Sequence, residues 1–232
     1  MSRSLIVNAD DFGRSAGVNE GVIACREDGI VTSASLMVRW PAAREAAVYA
    51  RANSRLSVGL HVDLLEWTLD KGEWQPLYAR VARDDQAAVE AEIQGQLASF
   101  RELVGRDPTH IDGHQHIHRK EPAKSILLGL AEDLGVPLRD FSGEIQYVGS
   151  FYGQDLDGAP LPAAISTEGL LALLAELQSG VTELGCHPAL AEDLESMYLG
   201  ERLTEVRTLC DPRVKDAVRE VGIDLLSFAE IA

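Results

Sequence analysis

Short apolar runs alternate with stretches of helical periodicity, and this alternation restricts the fold more than any other feature of the sequence. The apolar runs predict strands at residues 5–9, 31–38, 56–64, 109–114, 136–141, 181–188 and 224–228. The intervening stretches predict helices at residues 15–29, 41–52, 84–104, 122–134, 167–178, 202–209 and 213–221. Such alternation is typical of parallel β-α-β units. We therefore predict an α/β fold, a single-domain distorted (β/α) TIM-like barrel with about seven parallel strands.

An open doubly wound sheet is the competing architecture. No G-x-G-x-x-G motif follows the first predicted strand, which disfavours the dinucleotide-binding version of that alternative. One region fits neither pattern, because residues 65–80 form a less regular stretch after the third predicted strand.

Composition narrows the class of protein further. The 232 residues contain no Pro/Ser-rich linker, repeat or low-complexity stretch, so we predict one domain over residues 1–232. A net charge of −16 repels phosphate backbones and anionic membranes, which disfavours nucleic acid as a partner. The first residues hold too short an apolar run for a signal peptide, and no apolar run is long enough to span a membrane. With three cysteines and no C-x-x-C pair, we expect a cytoplasmic protein with reduced thiols. The expected partner is a small molecule, and the sequence leaves open whether the chain forms a homodimer.

Polar side chains gather at the carboxyl ends of four predicted strands. They are Asp10 and Asp11 on the first, His61 and Asp63 on the third, Asp112, His114, His116 and His118 on the fourth, and His187 on the sixth. All six histidines of the chain lie in three of these segments, His110 being the sixth. In parallel α/β folds the carboxyl ends of the strands meet at one face. The sequence therefore predicts a single site to which several strands contribute.

The residue types at these strand ends are those of a metal site. Neutral imidazoles with a carboxylate bind divalent transition metals, and a catalytic zinc keeps three protein ligands and one open position. Asp11, His61 and His114 would supply that set, and Asp10 would take a proton from the water that the metal activates. Adjacent residues of a regular strand point to opposite faces. Both carboxylates can reach one site only if the strand ends there, and Gly13 is consistent with such a break.

Each signal also has a purely structural interpretation. The Asp pair at residues 10–11 is also typical of helix capping. The run "HIDGHQHIH" is also compatible with a solvated loop, and His61 and His187 with core histidines. Aromatic side chains in the irregular stretch are either packing residues or a platform for a sugar ring: Trp67, Trp74 and Tyr78.

Four motifs, "NADDFG", "GLHVDL", "THIDGHQHIH" and "CHP", occur in this order over most of the chain. Together they resemble the YdjC-like carbohydrate deacetylases, a family that includes chitooligosaccharide deacetylases and deacetylases linked to hopanoid synthesis. The resemblance implies a distorted (β/α) barrel with a divalent metal. It also implies removal of N-acetyl groups from amino sugars.

The resemblance assigns roles to particular residues. It implies that Asp11, His61 and His114 are the metal ligands, that Asp10 is the general base, and that His187 is the acid. Two features depart from the family pattern. Gly113 stands where the sugar deacetylases often have Ser, and the segment after His61, which helps to close over substrate in the family, is short.

The metal-site residues and this resemblance together imply a metal-dependent hydrolase that removes N-acetyl groups from an amino sugar or acetylated oligosaccharide. One divalent metal is expected, zinc first, with magnesium, manganese or cobalt as alternatives. As acid, His187 would need a pKa near 7, and Glu183 and Glu205 are the candidates to tune it. His116 and His118 are expected to lie beyond the end of the strand and not to bind this metal directly.

Two other functions remain open at this point. One is a metal-stabilised binding protein without turnover, which the spare carboxylate and the acid disfavour. The other is a metal-dependent hydrolase of another amide or of an ester. Barrel hydrolases of that kind usually carry an H-x-H at the end of strand one, and this sequence has none there.

Overall fold

The computed structural model describes residues 2–231. Its nine strands are β1 (Arg3–Phe12), β2 (Ser33–Leu36), β3 (Ser57–Val62), β4 (Leu65–Asp70), β5 (Glu73–Ala79), β6 (Ile111–Gly113), β7 (Ile145–Val148), β8 (Gly180–Cys186) and β9 (Ile223–Leu225). Its seven α-helices are α1 (Ala16–Glu27), α2 (Ala43–Ala52), α3 (Gln86–Val104), α4 (Ala123–Leu134), α5 (Thr167–Glu176), α6 (Gly200–Leu209) and α7 (Pro212–Glu220). Short 3₁₀ segments cover His114–Arg119 and Phe228–Glu230. Within the described residues, no helix combines the length and the apolar character needed to cross a membrane.

Seven strands form one sheet, and all of its strand pairs are parallel. The order is β6-β3-β2-β1-β8-β7, and β9 pairs with the first residues of β1. The sheet curls into a half-barrel whose edges are β6 and β7. The prediction of a distorted (β/α) barrel with about seven parallel strands is therefore confirmed.

Central strand β1 is buried along nearly its whole length, as expected for a parallel strand that is covered on both faces. Helix α1 packs against β1, and α3 packs against β3. The apolar side chains of the strands and of the inward faces of these helices make one core. The carboxyl ends of the strands consequently hold their side chains on a rigid frame.

The stretch at residues 65–80, which shows no regular pattern in the sequence, forms two regular strands. Strands β4 and β5 pair antiparallel as a separate two-stranded sheet. Lys71 and Gly72 turn the chain between them with positive φ angles of 51° and 84°. Sequence patterning missed this hairpin because several of its residues are exposed or half-buried, so no apolar alternation marks them.

The predicted strand at residues 136–141 was wrong. Leu138 makes only an isolated parallel bridge to Ile111, and the fifth strand of the barrel is β7 instead. Pro137 has no backbone N–H to donate to a ladder. Asp140 then turns the chain away with a φ of 68°. Arg139, between them, is directed into the interior and is 4% exposed.

Candidate metal centre and active site

A bulge in β1 brings two consecutive carboxylates to the same cavity. The pairing of β1 with β2 shifts register between Ala9 and Phe12, and Asp11 adopts a left-handed φ of 65°. A bulge re-aims the side chains that follow it, and both Asp10 and Asp11 line the cavity as a result. The prediction that the strand ends at the Asp pair was therefore wrong, because the strand bends there and continues to Phe12.

Asp11, His61 and His114 lie together at the bottom of this cavity. Oδ1 of Asp11 is 3.5 Å from Nε2 of His61 and 3.1 Å from Nδ1 of His114. One possible ligand atom from each residue lies within 4.8 Å of the others. Oδ1 of Asp11 is buried and accepts no hydrogen bond, which is costly for a carboxylate oxygen unless a cation completes the group.

Each member of this cluster has a charged neighbour. Nδ1 of His61 hydrogen-bonds Asp112 at 2.7 Å, so Nε2 faces Asp11. Nε2 of His114 lies 3.5 Å from Glu66, which β4 carries into the site. Oδ2 of Asp11 accepts a 2.6 Å hydrogen bond from Arg202. Such partners fix the ring orientation of metal-binding histidines.

The cluster is built to hold positive charge. Burial on its own lowers the pKa of His61, but Asp112 and Asp11 outweigh burial and raise it to about 10. Burial likewise opposes protonation of His114, yet Asp11 and Glu66 raise its pKa above the usual value. Two imidazoles and one carboxylate of this kind match the three-ligand set of an open divalent-metal site.

Asp10 is an ionised carboxylate beside the cluster. Burial would raise its pKa, but the Arg139 guanidinium prevails and holds the pKa below the usual range. Asn8 donates a further hydrogen bond to Oδ1 at 2.8 Å. Oδ2 lies 3.8 Å from Nε2 of His187. The ionised carboxylate of Asp10 therefore lies next to a histidine.

Asp112 is the other carboxylate in reach of His61, but it lies behind the ring and not in the cavity. It accepts from Ser35 at 2.7 Å and pairs with Arg139 at 2.7 Å, and it is fully buried. Its position suits it to orient His61, whereas Asp10 lines the cavity.

His187 directly follows β8 and lines the cavity. Its ring meets Tyr152 and Tyr198 edge-on, with centroid distances of 5.4 and 5.7 Å. The expectation of a pKa near 7 was wrong for the protein without substrate, because burial lowers the pKa of His187 to about 4.

Neither of the two carboxylates expected to tune His187 touches its ring. Glu205 accepts from the backbone N–H of His187 and from the hydroxyl of Tyr198. Glu183 is bound by Arg139 at 2.7 Å. The carboxylate that faces the imidazole is Asp10, which the sequence analysis had placed beside the metal only.

His116 and His118 follow the end of β6 in the 3₁₀ segment. His116 lines the cavity, whereas His118 is fully buried and contacts Asp140 at 3.1 Å. Neither belongs to the Asp11–His61–His114 cluster. The expected departure from the strand after Gly113 is confirmed.

The cavity above the cluster has a volume of about 710 Å³. Tyrosine rings form much of its wall: Tyr147, Tyr152 and Tyr198. Of the three aromatic residues in the hairpin, only Trp74 lines this cavity. Tyr78 instead donates to Asp63 at 2.7 Å, and Trp67 packs on the core.

Several charged residues of the site were missed by the sequence analysis: Arg14, Glu66, Arg139 and Arg202. Arg139 sits in "VPLRDF" and Arg202 on α6, far along the chain from the Asp pair. The one available signal was an arginine inside an otherwise apolar run, because buried arginine requires anionic partners.

Comparison with known proteins gives one consistent result. The sequence model of the YdjC-like protein family matches residues 4–220. A chitooligosaccharide deacetylase from Serratia marcescens is 32% identical, with 100% of both chains covered. A carbohydrate deacetylase from Geobacillus stearothermophilus is 31% identical, with 99% of this chain and 98% of the relative covered.

Solved structures show the same similarity at the level of the fold. A crystal structure from Enterococcus faecalis V583 superposes with a TM-score of 0.78 at 29% identity, covering 100% of both chains. A family 4 carbohydrate esterase from Streptomyces lividans superposes with a TM-score of 0.56 at 13% identity, covering 96% of this chain and 91% of the other. At that identity, the second similarity concerns the (β/α) barrel fold alone.

Proposed function

This chain belongs to the YdjC-like protein family, and on that premise we propose that it is a metal-dependent carbohydrate deacetylase. The proposed reaction is hydrolysis of the N-acetyl amide of an amino sugar, which yields acetate and a free amine. The observation that supports it best is the buried Asp11–His61–His114 cluster beneath a cavity that Asp10 and His187 also line. The whole chain, residues 1–232, is proposed to act as one metal-dependent deacetylase domain.

We propose that Asp11, His61 and His114 hold one divalent metal ion. A metal bound there supplies Lewis-acid chemistry, which polarises a carbonyl and eases the deprotonation of water. Zinc is the expected ion, and magnesium, manganese and cobalt suit an open carboxylate-containing site as well. The buried Oδ1 of Asp11, which accepts no hydrogen bond and faces both histidines, supports this assignment.

Asp10 is the proposed general base. It stays ionised because Arg139 binds both of its oxygens at 2.7 Å. Water attacks the acetyl carbonyl as Asp10 accepts the water proton. The two hydrogen bonds from Arg139 lower the pKa of Asp10 and also orient the carboxylate that receives the proton.

His187 is the proposed donor to the departing amine. Since its pKa lies at about 4, the imidazole is neutral near pH 7 and must first acquire a proton. Asp10 can pass on the proton that it accepts, because its Oδ2 lies 3.8 Å from Nε2 of His187. Transfer along this path balances the reaction, because the proton taken from water reaches the amine nitrogen as the C–N bond breaks.

The cavity suits a sugar ring. Its volume of about 710 Å³ exceeds that of the acetamide group alone. Tyr152 and Tyr198 stack on each other with ring centroids 4.3 Å apart, close to His187. Flat aromatic surfaces of this kind present apolar area to a sugar ring, and the bond from the Tyr198 hydroxyl to Glu205 holds the tyrosine ring in place.

Acetate release from a panel of N-acetylglucosamine mono- and oligosaccharides tests the proposal. The enzyme is loaded with zinc, and an Asp10→Asn variant loaded in the same way is the matched control. We expect acetate from at least one sugar and far less with the variant. Equal acetate from simple N-acetyl amides without a sugar would favour the alternative amide hydrolase. No acetate from any substrate would favour the binding protein.

A further inference from the structure

A second cluster of metal-binding side chains lies beside the cavity, apart from the site described above. From its geometry we infer that His116, His118 and Asp140 form a separate binding site for a divalent transition metal, of the zinc, nickel or copper class. One ring nitrogen of each histidine and a carboxylate oxygen of Asp140 lie within 4.8 Å of one another. This inference is independent of the proposed deacetylase activity.

Ring nitrogens without partners support a ligand at this cluster. His118 is fully buried, and His116 is half-buried. Nδ1 of each ring is buried and has no hydrogen-bond partner. Histidines that serve only packing usually satisfy their ring nitrogens with backbone or side-chain partners. In His118 the nitrogen that faces Asp140 is Nε2, at 3.1 Å, so the unpaired nitrogen that supports a ligand at this cluster is Nδ1 of His116.

The backbone is bent to assemble the cluster. His116 has a φ of 55° and Asp140 a φ of 68°, both in the left-handed region that residues with a Cβ rarely occupy. Gln115, between His114 and His116, has a φ of 47°. These turns direct His114 to the first site and His116 to the second, although the two histidines are only two residues apart. Such conformations persist where surrounding structure enforces them, and they often mark functional positions.

The chemistry of the three side chains indicates the class of metal. Two imidazoles and one carboxylate favour transition metals over calcium or magnesium.

Arg119 is the group that a metal must displace. Its guanidinium contacts Oδ2 of Asp140 at 2.6 Å, the same oxygen that Nε2 of His118 approaches. The Arg119 side chain is 43% exposed, so it can turn into solvent without leaving a buried charge. Arg119 thus competes with a metal for Asp140, and its removal should strengthen binding.

Zinc stoichiometry of the full chain tests the inference. The protein is stripped with a chelator and titrated with Zn²⁺ against a chromophoric competitor, and Co²⁺ absorption reports the ligand environment. We expect two equivalents for the wild type and one each for Asp11→Asn and Asp140→Asn. Asn accepts a left-handed φ, so Asp140→Asn preserves the backbone. His118→Gln should also bind one equivalent. Because His118 is buried, circular dichroism is used to check that this variant is folded.

Two further variants separate a built site from metal binding at the acidic surface. Asp107 is an exposed aspartate that pairs with Arg101 and has no role in the cluster, so Asp107→Asn should keep two equivalents. Arg119→Gln should bind the second equivalent on the order of tenfold more tightly, because a competing cation is lost. One equivalent in the wild type, two in Asp140→Asn, or no tightening in Arg119→Gln would overturn the inference.

Discussion

The guanidinium of Arg139 donates a hydrogen bond to each carboxylate oxygen of Asp10, both at 2.7 Å. The same guanidinium pairs with Asp112 at 2.7 Å, and Asp112 holds the ring of His61. The buried Arg139 guanidinium therefore positions both the proposed base, Asp10, and Asp112, which supports the proposed metal ligand His61. Because the two carboxylates have different neighbours, substitutions at them should have different effects.

Asp10→Asn should retain the metal and lose turnover. The amide keeps the size of the side chain and leaves the proposed ligands intact, but it cannot accept a proton. Loss of a general base commonly costs a factor of about 10² to 10⁴. Metal content by elemental analysis and kcat on an N-acetyl sugar are measured on the same sample. Near-normal turnover with metal bound would place the base elsewhere.

Asp112→Asn should have the opposite profile. Its carboxylate orients His61 but does not line the cavity. Changes behind a ligand typically lower metal affinity about 10- to 100-fold. We therefore expect weaker zinc binding in a competition titration, with activity restored at high zinc. Unchanged zinc affinity would contradict the orienting role of Asp112.

His61→Ala and His114→Ala should each lose most of the metal from the first site. Both rings face Oδ1 of Asp11, at 3.5 and 3.1 Å. Because the second cluster would retain its own equivalent, elemental analysis is done in the Asp140→Asn background. Full metal occupancy in both double variants would show that these histidines do not bind the metal.

The loss of activity in His187→Ala should depend on the leaving group of the substrate. An amine departs only when protonated, whereas a phenolate departs without a proton. The variant should therefore lose amide hydrolysis steeply and lose much less activity toward an aryl acetate. Equal losses of kcat on both substrates, at unchanged metal content, would mean that His187 binds the substrate or supports the fold.

His110 should make the protein less stable as the pH falls. It is buried, bonds Ser35 at 3.0 Å and stacks on Phe228 at 3.8 Å. Burial lowers its pKa from the usual 6.5 to about 3. Between these values only the unfolded chain binds the proton, so stability falls by up to about 1.4 kcal/mol per pH unit. Urea unfolding at pH 6.5 and 4.5 should show a smaller pH effect for His110→Gln, and an equal effect would contradict this.

Strand alternation sufficed to predict the architecture, because a buried parallel strand leaves an apolar run that sequence shows directly. The clustering of histidines at strand ends likewise predicted that Asp11, His61 and His114 meet. Both inferences depend on local patterns and on one general property of parallel sheets.

The partners behind the site could not be predicted in the same way. Arg139 and Arg202 reach the Asp pair from positions 129 and 191 residues along the chain, and no local pattern encodes such contacts. Glu66 reaches His114 only because the β4–β5 hairpin folds over the site. The lowered pKa of His187 follows from burial, which depends on the complete tertiary structure.

The left-handed conformation of Asp11 limits how this site can change. Among residues with a side chain, Asn, Asp and His are found most often in that backbone, and Cys pays a larger steric penalty. A thiolate introduced at this one position would therefore add backbone strain to the change of ligand. Evolution or design toward a sulfur ligand would meet no such penalty at His61 or His114, whose φ angles are not positive.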